Sequence, residues 1–140
     1  MAEKDEFVID SSVVTKWFVS EHDSDQAIRI RDDFATGKIK LAAPTLLFYE
    51  VMNALRFTGA FKEDDLVLAS ESLSKYRFEM WRPRGKLLEL STQLSVRGDV
   101  TVYDACYVAL AQRIGSRVIT EDNELLAKFP KHTMAMDRPK

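Results

Sequence analysis

Short apolar runs rich in β-branched residues alternate along this chain with segments of helical periodicity. The strands predicted from these runs cover residues 7–9, 39–42, 78–81, 117–120 and 133–136. The predicted helices cover residues 13–18, 24–34, 46–57, 63–76, 86–96, 102–114 and 124–129. Strands that alternate with helices favour a parallel sheet with helices on both faces, because each parallel pair needs a crossover connection. The sequence therefore predicts an α/β domain with a mainly parallel central sheet.

The chain shows no internal boundary. Its 140 residues contain no linker, repeat or low-complexity stretch, and a chain of this length can bury one core. We therefore expect a single domain over residues 1–140. The lone Cys106 has no partner for an internal disulfide, the first residues lack the apolar segment of a signal peptide, and no apolar run reaches the ~18 residues that span a bilayer. These features predict a cytoplasmic protein without membrane contacts.

Hydroxyl residues stand where several of the predicted helices begin. Ser24, Thr45 and Thr101 each lie at the start of an apolar periodic segment. Serine and threonine are favoured as N-caps because the side-chain oxygen accepts a hydrogen bond from a free backbone N–H. We expect all three to cap the helix that follows.

The net charge leaves the class of partner open. A formal charge of −2 and a pI near 5.7 are unfavourable for phosphate contacts. Divalent cations held by acidic residues would cancel that charge locally. The basic run Arg82, Arg84 and Lys86 either meets phosphates or forms a solvated loop and helix start. Charge alone does not decide between a nucleic-acid enzyme and another acidic protein.

Four of the 22 acidic residues lie outside polar runs. Asp10 ends the first predicted strand, and Asp122 follows the strand over 117–120. Asp104 lies at the start of a helix, and Glu50 lies inside an apolar one. Ligands of an open parallel sheet bind outside the carboxyl ends of its strands. We therefore expect these four carboxylates to face the same crevice.

Each of these residues also has a purely structural interpretation. Asp104 and Asp122 are each in position to complete the cap of a helix. Asp10 fits a turn, and Glu50 fits a buried carboxylate whose partner is Asn53. Taken one at a time, the four residues do not separate a site from four local structural roles.

Convergence of the four favours a metal site. Two carboxylates ~4 Å apart repel by ~4 kcal/mol at an effective dielectric of ~20, so a cluster needs raised pKa values or a cation. Mg²⁺ and Mn²⁺ prefer oxygen ligands and serve phosphodiester chemistry. His22 and His132 fit loops, and Cys106 fits the core. The sequence has no glycine-rich phosphate loop and no Gly-x-Ser-x-Gly elbow.

Four segments, taken in order, resemble the motifs of a known family. They are Val-Ile-Asp-Ser-Ser-Val at 8–13 with Lys-Trp-Phe at 16–18, Pro-Thr-Leu at 44–46 with Glu-Val-Met-Asn-Ala-Leu at 50–55, Tyr-Asp-Ala-Cys-Tyr-Val-Ala-Leu-Ala at 103–111, and Val-Ile-Thr-Glu-Asp at 118–122 with Leu125. Together they span nearly the whole chain. With these four segments in this order, the sequence resembles the PIN-domain family, and within it the VapC-like toxins of prokaryotic toxin–antitoxin pairs.

The resemblance implies a three-layer α/β/α PIN fold and a set of site residues. It assigns Mg²⁺ or Mn²⁺ binding and activation of the attacking water to four acidic residues, which are Asp10, Glu50, Asp104 and Asp122. The resemblance also implies that Ser12, Asn53 and Thr120 lie around those acids. Two further carboxylates, Glu121 and Glu124, lie near the fourth acid, and the sequence leaves their role open.

The resemblance also implies partners. They are an RNA substrate, a VapB-like antitoxin that inserts a C-terminal segment toward the acidic pocket, and a second copy in a homodimer. One alternative is an RNA-processing or structure-specific nuclease that has the same pocket and no antitoxin. Another is a non-catalytic RNA-binding module whose acidic pocket is structural. The motifs do not name the RNA target, the number of metal ions or the antitoxin.

Overall fold

Strands and helices alternate along residues 4–137, which are the residues that the computed structural model describes. The strands are β1 (Asp5–Ile9), β2 (Ile39–Pro44), β3 (Glu79–Trp81), β4 (Val118–Ile119) and β5 (Thr133–Met134). The helices are α1 (Ser11–Thr15), α2 (Ser24–Ala35), α3 (Leu47–Phe57), α4 (Glu63–Lys75), α5 (Lys86–Gly98), α6 (Val102–Ile114) and α7 (Asn123–Lys128). Every predicted element is present. The largest shift is at α1, which starts two residues earlier than predicted and ends three residues earlier.

The five strands form one sheet in the order β3-β2-β1-β4-β5, and every pair is parallel. Strands β2 and β3 lie on one side of β1, and the later strands β4 and β5 lie on the other side. The carboxyl end of β1 is therefore the point at which the winding direction reverses. In open α/β sheets this reversal opens a crevice where ligands bind. The predicted three-layer α/β/α architecture is confirmed.

Helix α6 is the centre of the core. Its residues 105–111 are all buried, as expected for a helix that is apolar on every side. It packs against β1, β2 and β4, and α5 covers its outer side. Burial of each large aliphatic side chain stabilises the fold by ~1.5–3 kcal/mol. This packing fixes the position of the α6 N-terminus relative to the sheet.

An aromatic cluster joins the segment after α1 and helix α2 to the segment before β3. The Trp17 ring centroid lies 5.0 Å from that of Tyr76 and 6.0 Å from that of Phe78. Phe34 stacks on Phe78 at 5.1 Å. Such pairs contribute ~0.5–1.5 kcal/mol beyond their buried area. The cluster anchors the segment that follows the first acidic residue.

The three predicted helix caps had different outcomes. Thr101 does cap α6, since its Oγ1 accepts a hydrogen bond from the Asp104 N–H at 3.1 Å. Ser24 is instead the first residue of α2, and its hydroxyl accepts from the Glu21 N–H at 2.9 Å. Thr45 does not cap α3, which starts after Leu46 without a side-chain cap. Within residues 4–137, no helix combines the length and apolar character that crossing a membrane would require.

Candidate active site

The four predicted acidic residues all lie at helix N-termini. Asp10 and Asp122 are the N-cap residues of α1 and α7, which follow β1 and β4 directly. Glu50 lies in the first turn of α3 and Asp104 in the first turn of α6. Helix α3 starts after β2, and α6 runs back toward β4, so both begin at the carboxyl edge of the sheet. The positive end of the helix dipole favours a carboxylate at each of these positions.

Asp10 is held by two hydroxyl groups. It is only 5% exposed, and its Oδ2 accepts hydrogen bonds from Thr120 Oγ1 at 2.7 Å and Ser12 Oγ at 2.9 Å. Each hydroxyl in turn accepts a backbone N–H, Ser12 from Glu121 at 3.1 Å and Thr120 from Asp122 at 3.0 Å. Because a backbone N–H only donates, both hydroxyl protons point to the carboxylate. The end of β1 is thereby tied to the loop after β4.

Glu50 receives its hydrogen bond from a buried tyrosine. Tyr107 Oη lies 2.6 Å from Glu50 Oε1, and the ring is fully buried in α6. Burial and the neighbouring charges of Glu50 and Asp10 raise the pKa of Tyr107 well above its ordinary value. The phenol therefore stays protonated and acts as a donor.

Asp122 has the structural role that was weighed from sequence. Its Oδ1 accepts hydrogen bonds from the backbone N–H groups of Glu124 at 2.8 Å and Leu125 at 3.3 Å. These bonds cap α7 and fix the orientation of the carboxylate. Neither bond uses Oδ2, so capping leaves that oxygen available to a ligand. The structural and functional interpretations of Asp122 are compatible.

Electrostatic repulsion links the four carboxylates in one group. Burial raises the pKa of Asp10, and the charge of Asp104 raises it further, against the lowering effect of its two hydroxyl partners. Burial raises the pKa of Glu50, with added repulsion from Asp10 and Asp104. Burial also raises the pKa of Asp104, and the charges of Asp122 and Glu124 act in the same direction. The tertiary structure thus brings all four within electrostatic range of a neighbour.

The two extra carboxylates, Glu121 and Glu124, contact different partners. Glu121 lies against Asp23, and both burial and that contact raise the pKa of Glu121. Lys16 binds Asp23, with Nζ 2.7 Å from Oδ1. Glu124 forms an exposed ion pair with Lys128 at 3.4 Å, while its charge acts on Asp104. Glu121 therefore belongs to the cluster around Lys16, and Glu124 lies at the rim of the four-carboxylate group.

Three neighbours of the acids were predicted, and others were not. Ser12 and Thr120 lie in hydrogen-bond contact with Asp10. Asn53 is exposed, lies one turn beyond Glu50, and lines a surface groove together with Glu50. Tyr107, which donates to Glu50, was quoted only as part of a motif. Its position three residues after Asp104, on the same helix face, was the signal that could have identified it.

The donor set fits a hard divalent cation. The neighbouring charges that most affect the pKa values of Asp10, Glu50 and Asp104 are all carboxylates. Carboxylate oxygens are the ligands that Mg²⁺ and Mn²⁺ prefer. No three His, Cys, Asp or Glu side chains in the described part of the chain are arranged to hold an ion by themselves. Mg²⁺ usually binds one or two carboxylates directly and keeps several waters or phosphate oxygens.

The arrangement matches a known family. The family model described as "PIN domain" matches residues 7–131. The chain belongs to the PIN-domain family. One relative of this PIN domain is the protein named Ribonuclease VapC3 from Pyrobaculum aerophilum, 34% identical over 128 residues that cover 88% of this chain and 94% of the relative.

Solved structures share the fold of this PIN domain. The crystal structure of PAE2754 from Pyrobaculum aerophilum has a TM-score of 0.70 at 26% identity and covers 95% of this chain and 90% of that one. A toxin–antitoxin complex from Klebsiella pneumoniae has a TM-score of 0.69 at 20% identity and covers 95% and 99%. At 20% identity the second likeness shows the fold alone.

Proposed function

We propose that this PIN domain is a Mg²⁺- or Mn²⁺-dependent ribonuclease, the toxin of a VapBC-like type II toxin–antitoxin pair. The observation that carries the proposal is the group of four carboxylates at the carboxyl edge of the sheet, in which burial and repulsion between the carboxylates raise the pKa values of Asp10, Glu50 and Asp104. The name of the 34% identical relative supports RNA as the substrate. The site lies at the crevice expected for ligands of such a sheet.

The proposed metal-binding residues are Asp10, Glu50, Asp104 and Asp122. A divalent ion held by these residues would supply Lewis acidity to a phosphoryl oxygen and would lower the pKa of water. Asp10 is kept in one orientation by Ser12 and Thr120, and Glu50 is kept in one orientation by Tyr107. Attack by water at phosphorus breaks the P–O3′ bond and leaves 5′-phosphate and 3′-hydroxyl ends. Attack by the RNA 2′-hydroxyl would instead leave 2′,3′-cyclic phosphates.

The first experiment is cleavage of a panel of structured RNAs by purified protein, with Mg²⁺, with Mn²⁺ and with EDTA. We expect discrete cuts that require metal and that carry 5′-phosphate ends. Asp10→Asn keeps the side-chain size and removes the charge, so we expect cleavage to fall by at least ~100-fold, beyond the ~10–100-fold typical of residues that only support a ligand. Asp64→Asn, an exposed acid on α4, is the matched control and should retain full activity.

The outcomes separate the alternatives. Metal-dependent cutting that Asp10→Asn removes, in a variant with an unchanged circular dichroism spectrum, supports the nuclease. No cutting of any RNA together with no thermal stabilisation by metal would favour a non-catalytic RNA-binding module. Cyclic phosphate ends would contradict water as the nucleophile.

The proposed antitoxin is a VapB-like protein, and the toxin is proposed to act as a homodimer. The VapC-like motifs of the sequence and the name of the 34% identical relative, Ribonuclease VapC3, support the pairing. A basic side chain of the antitoxin would meet the four carboxylates as a counter-charge in place of the metal. Co-expression with the product of a short neighbouring reading frame should abolish cleavage. Full activity in a stable complex would overturn the antitoxin proposal and leave the nuclease in place.

A further inference from the structure

Lys16 is a mostly buried lysine that ends α1 and lies outside the four-carboxylate group. Its side chain is 14% exposed, and its backbone N–H donates to the Val13 carbonyl at 3.0 Å. Trp17, the next residue, packs into the aromatic cluster. The lysine is thereby fixed relative to α1, the helix whose N-cap is Asp10. Lysine is rarely buried unless its charge is paired, so its partners indicate what it does.

Two carboxylates bind the Lys16 ammonium group. Its Nζ lies 2.7 Å from Asp23 Oδ1 and 3.0 Å from Glu21 Oε2. The Asp23 side chain is 16% exposed, whereas Glu21 is more exposed and its ion pair is weakened by water. Asp23 is the N-cap residue of α2 but makes no side-chain cap hydrogen bond, and its carboxylate binds the lysine instead. Two of the three N–H donors of Lys16 are therefore used on these acids.

Asp23 connects Lys16 to the loop after β4, residues 120–122. The Glu121 side chain lies against that of Asp23, and both side chains line one surface pocket. Two carboxylates in contact repel each other. The positive charge of Lys16 acts on both of them. The lysine therefore stabilises the contact between the start of α2 and this loop.

Glu121 lies on the backbone that orients two of the four carboxylates. Its N–H donates to Ser12 Oγ at 3.1 Å, and the same hydroxyl donates to Asp10 Oδ2 at 2.9 Å. The next residue, Asp122, donates its N–H to Thr120 Oγ1 at 3.0 Å and caps α7. A displacement of Glu121 would therefore disturb the orientation of Asp10 and of Asp122 together.

We propose that Lys16 is a positioning residue of the site: its charge holds Asp23 and Glu121 together and so fixes the loop that carries Asp122. The inference rests on the proposed ribonuclease function, because the fixed loop holds a proposed metal-binding carboxylate. Lys16 does not touch the reacting groups in this arrangement, since its Nζ is bound to Asp23 and Glu21. Without the lysine, the repulsion between Asp23 and Glu121 would push the loop out of place.

The test is Lys16→Met, which keeps most of the side-chain length and removes the charge. We expect Mn²⁺ affinity, measured by electron paramagnetic resonance, to fall by about tenfold, as is typical of groups that support metal ligands. Hydrogen–deuterium exchange of the metal-free protein is the second readout. Exchange should become faster in residues 120–125 and stay the same in the buried α6 residues 105–111. A variant that is only less stable would exchange faster in α6 as well.

A double-mutant cycle tests the charge balance itself. Glu121→Gln removes the negative charge next to Asp23 and keeps the size of the side chain. We therefore expect Lys16→Met to lower Mn²⁺ affinity about tenfold in the wild-type background and to change it little in the Glu121→Gln background, because the repulsion is already gone. The same tenfold loss in both backgrounds would overturn the inference.

Lys38→Met is the matched control. Lys38 precedes β2 at the amino edge of the sheet, and its Nζ lies 4.0 Å from Asp33 Oδ1. This substitution removes one positive charge and one lysine ion pair, as Lys16→Met does, but on the edge opposite the site. It should leave Mn²⁺ affinity and the exchange of residues 120–125 unchanged. Equal effects of the two substitutions would show that net charge is responsible, and they would contradict a special role for Lys16.

The two readouts also separate this inference from the proposed function. If the wild type binds no Mn²⁺ and cuts no RNA while Lys16→Met still accelerates exchange in the loop, the result supports the positioning of the loop and counts against the nuclease. If Lys16→Met changes neither loop exchange nor Mn²⁺ affinity, the inference fails, whether or not the wild type cuts RNA.

Discussion

Tyr107 shows how one side chain can link two helices to the chemistry of the site. Its ring is part of the buried α6 core, and its hydroxyl ends on Glu50. A phenol and a carboxylate at 2.6 Å form a charge-assisted hydrogen bond. The contact fixes Oε1 of Glu50. Tyr107 is therefore a positioning residue, and it is not proposed to touch the substrate.

Tyr107→Phe tests this role. A hydrogen bond to a charged group contributes ~1.5–3 kcal/mol, so we expect Mn²⁺ affinity and the cleavage rate each to fall by ~10-fold or more. Manganese binding is measured directly by electron paramagnetic resonance, which reports the site even without turnover. Tyr76→Phe, in the aromatic cluster away from the four carboxylates, is the control and should bind Mn²⁺ normally. Unchanged affinity in Tyr107→Phe would show that Glu50 is positioned without the phenol.

At the scale of elements, the ends of β1 and β4 are joined by side chains as well as by the sheet. Thr120 follows β4, is fully buried, and donates to Asp10 after β1 while accepting the Asp122 N–H. The two strands also continue their pairing through the Asp10 N–H and the Ile119 carbonyl at 3.0 Å. The hydroxyl connects two carboxylates that come from separate strand ends. A change at Thr120 therefore acts on the sheet and on the site together.

Thr120→Val keeps the shape of the side chain and removes both hydrogen bonds. A buried group left without its partner costs ~1–3 kcal/mol, so we expect that loss in the free energy of unfolding together with a fall in cleavage of ~10–100-fold. Thr133→Val is matched, since Thr133 is also buried and its Oγ1 donates to the Phe129 carbonyl. It should lose comparable stability and keep its activity. Urea unfolding measures the free energy of unfolding of each variant. Equal cleavage activity of two equally destabilised variants would contradict a special role for Thr120.

For the whole molecule, the balance of charges predicts an unusual dependence of stability on pH. The pKa values of Asp10, Glu50 and Asp104 are raised by burial. Away from the site, a hydrogen bond with Glu79 raises the pKa of Glu6 to about 7. A raised carboxyl pKa means that the folded state binds more protons than the unfolded state. This contribution to stability is complete below the unfolded values near 4 and is lost as the pH rises, through about 7 for Glu6.

We therefore expect the metal-free protein to be more stable at pH 5 than at pH 8. Metal binds the deprotonated carboxylates, so Mn²⁺ should stabilise strongly at pH 8, by ~2.7 kcal/mol at ~100 times its Kd, and little at pH 5. Urea unfolding in EDTA and in Mn²⁺ at both pH values measures these effects. Glu79→Gln should reduce the pH dependence in EDTA and leave the Mn²⁺ effect intact. Equal stabilisation by Mn²⁺ at both pH values would contradict binding at the four carboxylates.

Local sequence signals determined much of this protein. The β-branched runs and helical periodicity predicted every strand and helix, because those patterns report which face of a segment is buried. Asp10 and Asp122 were predicted at strand ends for the same reason. The caps were less predictable, since Ser24 and Thr45 have the right residue type but the turns before α2 and α3 place their hydroxyls elsewhere. The resemblance carried by the ordered motifs supplied the family.

Only the tertiary structure decided which distant residues meet. Thr120 and Asp10 are 110 positions apart, and Tyr107 and Glu50 are 57 apart. No local pattern encodes such a pair, because it depends on the strand order that puts β1 between β2 and β4 and on the packing of α6 across them. The same packing turned Glu121 toward Asp23 and Lys16. The sequence by itself specified the kind of chemistry through its residue types, and the long-range packing determined the geometry in which those residues are held.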